Sequence, residues 1–324
     1  MSTPRSTRHS SLLILLIAVT ALVVAACSSV GSGGTLTPRS PDTGTIAPVS
    51  PEPSAEPSAA PPSEPPAESE APTTPEPIEP PTGATSVRTY LFMDGKLVPV
   101  RRDVDATRAV GRAALNALFE GPTAEEAAAS PALATDVPEG TILLGLDIAD
   151  GLATVDLSRE FEGVQTSGQA FGAQAQVIYT LTQFPTVKHV AFKIDGEPIT
   201  IWAGGDPGAV VESSDREDWQ DEFLPSVFVE RPTWGATIGN PVRVSGIANV
   251  FEAVFFVEVR DADGATLAKE RVMASCGTGC WGTFDVSIPY DVSARQEGSV
   301  VTYNLSAKDG SVEDLRSYPV TLVP

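Results

Sequence analysis

The stretch QVIYTLTQFPTVKHVAFKIDG, residues 176–196, decides the fold of the centre of this chain. Its first half spaces apolar residues at helical intervals. Together with Phe171, the side chains of Val177, Ile178, Leu181 and Phe184 fall on one face, and Gln169, Gln176, Thr180 and Gln183 fall on the other. The spacing predicts a helix from about Ser167 to Phe184, ended by Pro185. After the proline the period drops to two. Val190, Phe192 and Ile194 alternate with His189, Ala191 and Lys193, as in a strand buried on one face.

Working outward, TILLGLDIADGLATVDLS (141–158) reads as a hairpin turning at Asp150-Gly151, where the dipeptide supplies the positive φ angles of a tight turn. Upstream, ATRAVGRAALNALFE (106–120) carries Val110, Ala114, Ala117 and Leu118 on one side. This predicts a helix capped by Asp105 and stopped by Gly121-Pro122. VRTYLFMDGKLVPVRRDV (87–104) reads as two strands around Asp94-Gly95. The order predicts a compact α+β domain over residues 86–205, with helices on one face of a small sheet.

Downstream, GGDPGAVVESSDREDWQDEF (204–223) is acidic and polar, and residues 206–224 are expected to be a linker. Beyond it, strand candidates recur: SVFVERP, PVRVSGIA, EAVFFVEVRD, TLAKERVMA, WGTFDVSIP, SVVTYNLSAKD and VEDLRSYPVTLV. About seven strands at such spacing, with turns at Asp263-Gly264 and Asp309-Gly310, argue for an all-β sandwich over residues 225–324. Val301, Tyr303, Leu305 and Ala307 alternate there with Thr302, Asn304, Ser306 and Lys308.

These motifs carry a resemblance. E-G-P at 120–122, P-x-G-T at 138–141, D-G-L-A-T-V-D-L-S at 150–158 with Phe161 after it, and Q-V-I-Y-T-L-T-Q-F-P running into V-x-x-V-x-F-x-I-D-G at 176–196 resemble the GerMN domain of bacterial sporulation and germination proteins. The resemblance implies a fold similar to the ring-building motifs of sporulation channels, and a role in envelope assembly or signalling. The pattern V-x-x-P-x-x-G-x-x-I-x-N-P-V-x-V-x-G-x-A-x-V-F-E at 229–252, with W-G-x-F-x-V at 281–286, resembles the immunoglobulin-like domain of bacterial spore germination. Such domains are often paired with GerMN, and neither resemblance implies that the source organism sporulates.

The N-terminus bears on location. Arg5 and Arg8 precede an apolar run at 12–26 that is short for a bilayer span, and small residues lead to Cys27, which describes a secretory signal over residues 1–26. Val24-Ala25-Ala26-Cys27 resembles the lipobox of bacterial lipoproteins, which implies acylation of Cys27 and an anchor on the outer face of the cell membrane. Residues 27–85 are rich in Pro, Ser, Glu and Ala and offer almost no apolar surface to offset ordering entropy, so a disordered tether is expected. At the rise of polyproline II its extended limit is about 150–180 Å.

Charge narrows the partners. With 21 Lys and Arg against 42 Asp and Glu, the chain carries −21, which argues against nucleic acid and leaves membrane attachment to the lipid anchor. Cys276 and Cys280 form C-G-T-G-C, and in a secreted chain the pair is expected to close a small disulfide, with reduced thiols as the alternative. Metal binding and a cofactor are not expected, because His189 is the only histidine after the signal and two thiolates do not complete a zinc site.

No nucleophile elbow accompanies His189, so the chain is read as a non-catalytic interaction or assembly module of the envelope. Its partners are expected to be other envelope proteins, cell-wall material or copies of itself. The polar sheet face at His189, Ala191 and Lys193, with any unpaired edge strand, is the expected partner surface. Two alternatives stand: a cell-wall hydrolase using Asp147 and Asp156, and a small-ligand receptor with a pocket lined by Trp202, Trp219 or Trp234.

Overall fold

The computed structural model describes residues 83–202 and 210–324. The signal, Cys27 and nearly all of the expected tether lie outside the described residues. So does the side chain of Trp202.

In chain order the first domain runs β1 (Ala84–Met93), β2 (Lys96–Asp105), α1 (Val110–Phe119), α2 (Ala124–Ala128), β3 (Leu133–Ala134), β4 (Leu143–Ala149), β5 (Leu152–Leu157), α3 (Ser167–Leu181), β6 (His189–Ile194) and β7 (Glu197–Ile199). Two short strands, β8 (Ile201–Trp202) and β9 (Val210–Val211), and a one-turn helix, α4 (Gln220–Phe223), follow. Three Asp-Gly pairs fold strands back on themselves. Asp94-Gly95, Asp150-Gly151 and Asp195-Gly196 have positive φ at both positions, the geometry that a two-residue hairpin requires.

The α+β class holds, but the strands divide between two sheets, β2-β1-β3 and β4-β5-β6-β7, with β5 and β6 parallel. Asp105 does not cap α1. It ends β2, opposite Ala84, because the β1–β2 ladder continues to that residue; α1 begins after Ala109 without a side-chain cap.

The polar face expected on α3 is not turned to water. Residues 172–181 of α3 are all buried, and Gln176 and Thr180, with Gln183 just after the helix, replace a missing strand along the edge of β1. Gln183 Nε2 donates to the Arg88 carbonyl at 2.7 Å, and Arg88 N–H donates to Gln183 Oε1 at 2.9 Å. Tyr90 N–H donates to Thr180 Oγ1 at 3.3 Å, and Gln176 Nε2 donates to the Tyr90 carbonyl at 2.8 Å. Since β3 pairs only with Phe92 and Met93, these side chains satisfy main-chain groups that burial would otherwise leave unpaired.

The second domain contains β10 (Val227–Arg231), β11 (Ala236–Ile238), β12 (Val242–Ala248), β13 (Val254–Asp261), β14 (Thr266–Met273), β15 (Gly282–Ile288), β16 (Gln296–Leu305) and β17 (Val312–Leu322). They form sheets β10-β12-β15 and β11-β17-β16-β13-β14, an immunoglobulin-like sandwich. The strand absent from the sequence reading is β11, a three-residue piece parallel to β17. On the central strand β16, residues 300–304 are buried whichever face they point to. Val300 and Thr302 lie beside Val259 and Val257, and Tyr303 lies beside Phe256 on the other face.

The expected linker is a correction. Its described part, residues 210–224, packs onto the first domain instead of separating the two. Ser214 exchanges both backbone hydrogen bonds with Val190, at 2.9 and 3.0 Å. Trp219 is 1% exposed, stacks on Phe223 and meets Phe171, while Phe223 meets Phe92. The stretch reads as polar because Glu217, Asp218, Asp221 and Glu222 point to solvent, yet Trp219 and Phe223 four residues on supply one apolar stripe. Among the described residues, no helix is long and apolar enough to cross a membrane.

Candidate partner surfaces and the domain junction

The junction is built around Arg216, which the strap of residues 210–224 delivers between the domains. Its guanidinium pairs with Glu230 on β10 in a short contact, donates to the Tyr90 hydroxyl and the Tyr179 carbonyl at 2.9 Å each, and donates from Nε to Thr182 Oγ1 at 2.7 Å. The Tyr90 hydroxyl donates to Glu230 at 2.7 Å, and the Tyr179 hydroxyl donates back to the Arg216 carbonyl at 3.0 Å. The guanidinium carbon lies 4.8 Å from the Tyr179 ring centre and 5.1 Å from that of Tyr90, so cation–π attraction adds to the pairing. Burial pushes the Tyr90 phenol up to about 12, with Arg216 pulling the other way. Burial alone would lower Arg216, but Tyr90 and Glu230 beside it outweigh that and hold it charged.

Other contacts cross the same boundary: the Trp234 backbone N–H donates to the Pro99 carbonyl at 2.9 Å, and Phe228 packs against Tyr90 and Tyr179. On the first-domain side, Lys96 Nζ holds the strap by donating to the Glu222 carbonyl at 2.6 Å. Beside them opens a cleft of about 610 Å³, lined by Arg216, Glu217, Asp221, Glu230, Cys280 and Trp281. Trp281 Nε1 donates to Asp221 across it at 2.7 Å. Cys276 and Cys280 are joined as a disulfide, with Cα atoms 5.9 Å apart, on the rim of this cleft. The ring docks on residues 249–253: Thr278 N–H donates to the Val250 carbonyl at 2.9 Å, and Gly279 N–H to Asn249 Oδ1 at 3.0 Å. Gly277 is required there, because any Cβ would collide with the Ala253 backbone.

The surface expected at His189, Ala191 and Lys193 is less open than its sequence suggests. All three lie on β6 between β5 and β7; His189 is exposed, whereas Ala191 and Lys193 are half-buried. Residues 212–215 run beside the start of β6, where Ser214 pairs with Val190. Ala191 and Lys193 become part of a groove of about 420 Å³ with Leu152, Thr154 and Glu212, and His189 Nδ1 stands 3.8 Å from Asp215. Of the two sheet edges, β7 carries Pro198, which offers no N–H to a new strand. The other edge, β4, exposes Leu144 and Ile148, with Ile142 just before it, and borders an apolar cleft flanked by Arg108 and Arg112.

Asp147 lies opposite Thr154 and Asp156 opposite Gly145; Asp156 accepts the Gly196 N–H at 2.9 Å, a turn-holding role. Neither lines the clefts at the junction, at β4 or at β6–β7. Trp219 belongs to the core and Trp234 lies against the first domain, while the tryptophan that lines the junction cleft is Trp281. Among the described residues no three or more of His, Cys, Asp and Glu gather closely enough to hold a metal ion. Sequence reading missed the junction residues Tyr90, Tyr179, Arg216 and Glu230, which are far apart in the chain and carry no local pattern.

Comparison with known proteins assigns both domains. Residues 85–200 match the family described as sporulation and spore germination, and residues 226–311 match the immunoglobulin-like domain of bacterial spore germination. The chain is 29% identical over 129 residues to Lipoprotein LpqB of Thermobifida fusca (strain YX), a match covering 40% of this chain and 19% of that protein; the chain thus spans about a fifth of that relative. Among solved structures, the first GerMN domain of the sporulation protein GerM from Bacillus subtilis is 22% identical, covering 41% of this chain and 98% of that one, with a TM-score of 0.34. A putative lipoprotein from Clostridium perfringens is 21% identical, covering 42% and 90%, with a TM-score of 0.28. The chain consists, in its described part, of a GerMN domain followed by an immunoglobulin-like domain of bacterial spore germination.

Proposed function

We propose that this chain is a lipid-anchored, extracytoplasmic envelope protein that binds other envelope proteins or cell-wall material without chemistry of its own. The observation that carries the reading is the Arg216 junction. An aromatic strap and a shared guanidinium tie the two domains together, so that their surfaces are presented in one fixed relation, which suits a scaffold. The anchor rests on Val24-Ala25-Ala26-Cys27, and the proline- and glutamate-rich residues after it supply reach from the membrane. The name of the Thermobifida relative, a lipoprotein, is in keeping with this.

Two measurements test it. Mass spectrometry of the mature N-terminus is expected to find diacylglycerol on Cys27, with Cys27→Ser released or left unprocessed; an unmodified N-terminus cut elsewhere sinks the anchor. Crosslinking on intact membranes is expected to capture envelope partners, and a purified chain that hydrolyses wall material and loses that activity in Asp147→Asn/Asp156→Asn would replace binding by catalysis.

A further inference from the structure

The described chain starts at Gly83, and that start is pinned. The Gly83 carbonyl accepts the Ala106 N–H at 2.9 Å, so the residues before it leave from beside the loop that leads into α1. Two residues beyond Ala106 lies Arg108, the first residue of the apolar cleft beside β4, a space of about 640 Å³. Leu146 and Ile148 of β4 and Phe184-Pro185 just after α3 form its walls, and Arg108 and Arg112 flank it. Ile148 is 41% exposed, and neighbouring Leu144 is 48% exposed. Among the described residues neither arginine has a carboxylate partner; Arg112 reaches only the Leu143 carbonyl, at 3.5 Å. A groove that is apolar inside and cationic at its border favours an apolar residue flanked by acids.

The residues just before Gly83 have that pattern. They read TPEPIEPPT (74–82), in which Ile78 is the one large apolar residue between positions 50 and 82, with Glu76 and Glu79 on either side. Ile78 precedes Gly83 by five residues, about 15 Å at the rise of polyproline II. Since Gly83 pairs with Ala106 and Val110 of the cleft is only four residues further on, the segment reaches. Pro77 and Pro80 offer no N–H for adding a strand to β4, so docking is through side chains, and their fixed φ leaves less freedom to lose.

We propose that residues 76–79 occupy the cleft beside β4 of their own chain, with Ile78 seated against Leu146, Ile148 and Phe184 and with Glu76 and Glu79 facing Arg108 and Arg112. A link this short gives an effective concentration of about millimolar, so a contact too weak to hold a free peptide holds this one. A second copy or a lipid surface has to find the cleft from solution, whereas Ile78 is fixed within reach of it. A partner that pairs with the β4 edge must first displace Ile78. The proposal rests on the cleft and the residues beside it, and holds whether or not Cys27 carries a lipid.

The test places the photocrosslinker p-benzoylphenylalanine at position 78 of the full chain in detergent and maps the adducts by mass spectrometry. Adducts within one chain are expected on peptides carrying residues 108–112, 146–148 or 184–186, in a yield that does not change on dilution. The same probe at position 46 is expected to miss them. Glu76→Lys/Glu79→Lys is expected to cut the yield by about half or more, and adding Arg108→Glu/Arg112→Glu to restore it. Hydroxyl-radical footprinting leaves the cleft itself unaltered: in the Ile78→Ser chain, oxidation of Ile148 and Phe184 is expected to rise about twofold over the parent. Adducts scattered over the surface, a yield indifferent to charge reversal, or unchanged footprinting in Ile78→Ser overturns the proposal. So do adducts between chains that fade on dilution, which would make the occupant a second copy.

Discussion

Arg216 and Glu230, from the strap and from the first strand of the second domain, form an ion pair that also engages the Tyr90 hydroxyl and the Tyr179 carbonyl of the first domain. The guanidinium makes four hydrogen bonds at once, to Glu230, the Tyr90 hydroxyl, the Tyr179 carbonyl and Thr182, one more than an ammonium has protons to give. Removing Glu230 leaves a part-buried charge facing two phenol rings.

Arg216→Ala and Glu230→Gln are therefore each expected to cost about 2–4 kcal/mol, and the double variant less than their sum by about 1–3 kcal/mol. Arg216→Lys should recover only part of the loss. Urea unfolding of the parent and these four variants measures this, and strictly additive effects would mean that the domains are held by Phe228 and the strap aromatics alone.

Much of this architecture was legible, because its signals are local. Asp94-Gly95 and Asp150-Gly151 fix hairpins wherever they occur, and alternation marks β6. What could not be read is long-range. Gln176, Thr180 and Gln183 have the spacing of a solvent face, and only the missing neighbour of β1 turns that face inward. Likewise Trp219 and Phe223 sit among acids, and their burial depends on Phe92 and Phe171 from distant parts of the chain. The place of the strap beside β6 is equally long-range, since Ser214 pairs with Val190 across some two dozen intervening residues.

The Cys276–Cys280 ring closes a very short loop, for which chain entropy supplies about 2 kcal/mol. Its backbone is also pinned by Val250 and Asn249. Reduction, or Cys276→Ser/Cys280→Ser, is expected to lower stability by no more than that amount and to leave the sandwich folded. Amide exchange should speed up at Thr278 and Gly279 first, and Trp281 fluorescence should change as its bond to Asp221 loosens. Cooperative unfolding of the whole second domain on reduction would show that the ring holds far more than its own loop.

On the outer face of the second domain, Glu258 is almost fully buried and accepts from the Tyr303 hydroxyl at 2.7 Å and from Arg260 at 2.6 Å, with Lys269 at 3.3 Å. Burial pushes its carboxyl up, but the Tyr303, Arg260 and Lys269 donors outweigh burial and bring it down to about 2. Because the folded value lies below the ordinary 4.5, the stabilisation is complete above that pH and is lost as pH falls from there through about 2. Lys269 and Arg260 reach solvent, so screening reduces the contribution at neutral pH to about 1–2 kcal/mol. Glu258→Gln is expected to be less stable than the parent by that amount at pH 7, and the gap should close progressively below pH 4.5, which denaturation at a series of pH values measures directly. A gap that stays constant down to pH 2 would mean that Glu258 acts through packing against Tyr303 and Phe256, with its charge contributing nothing.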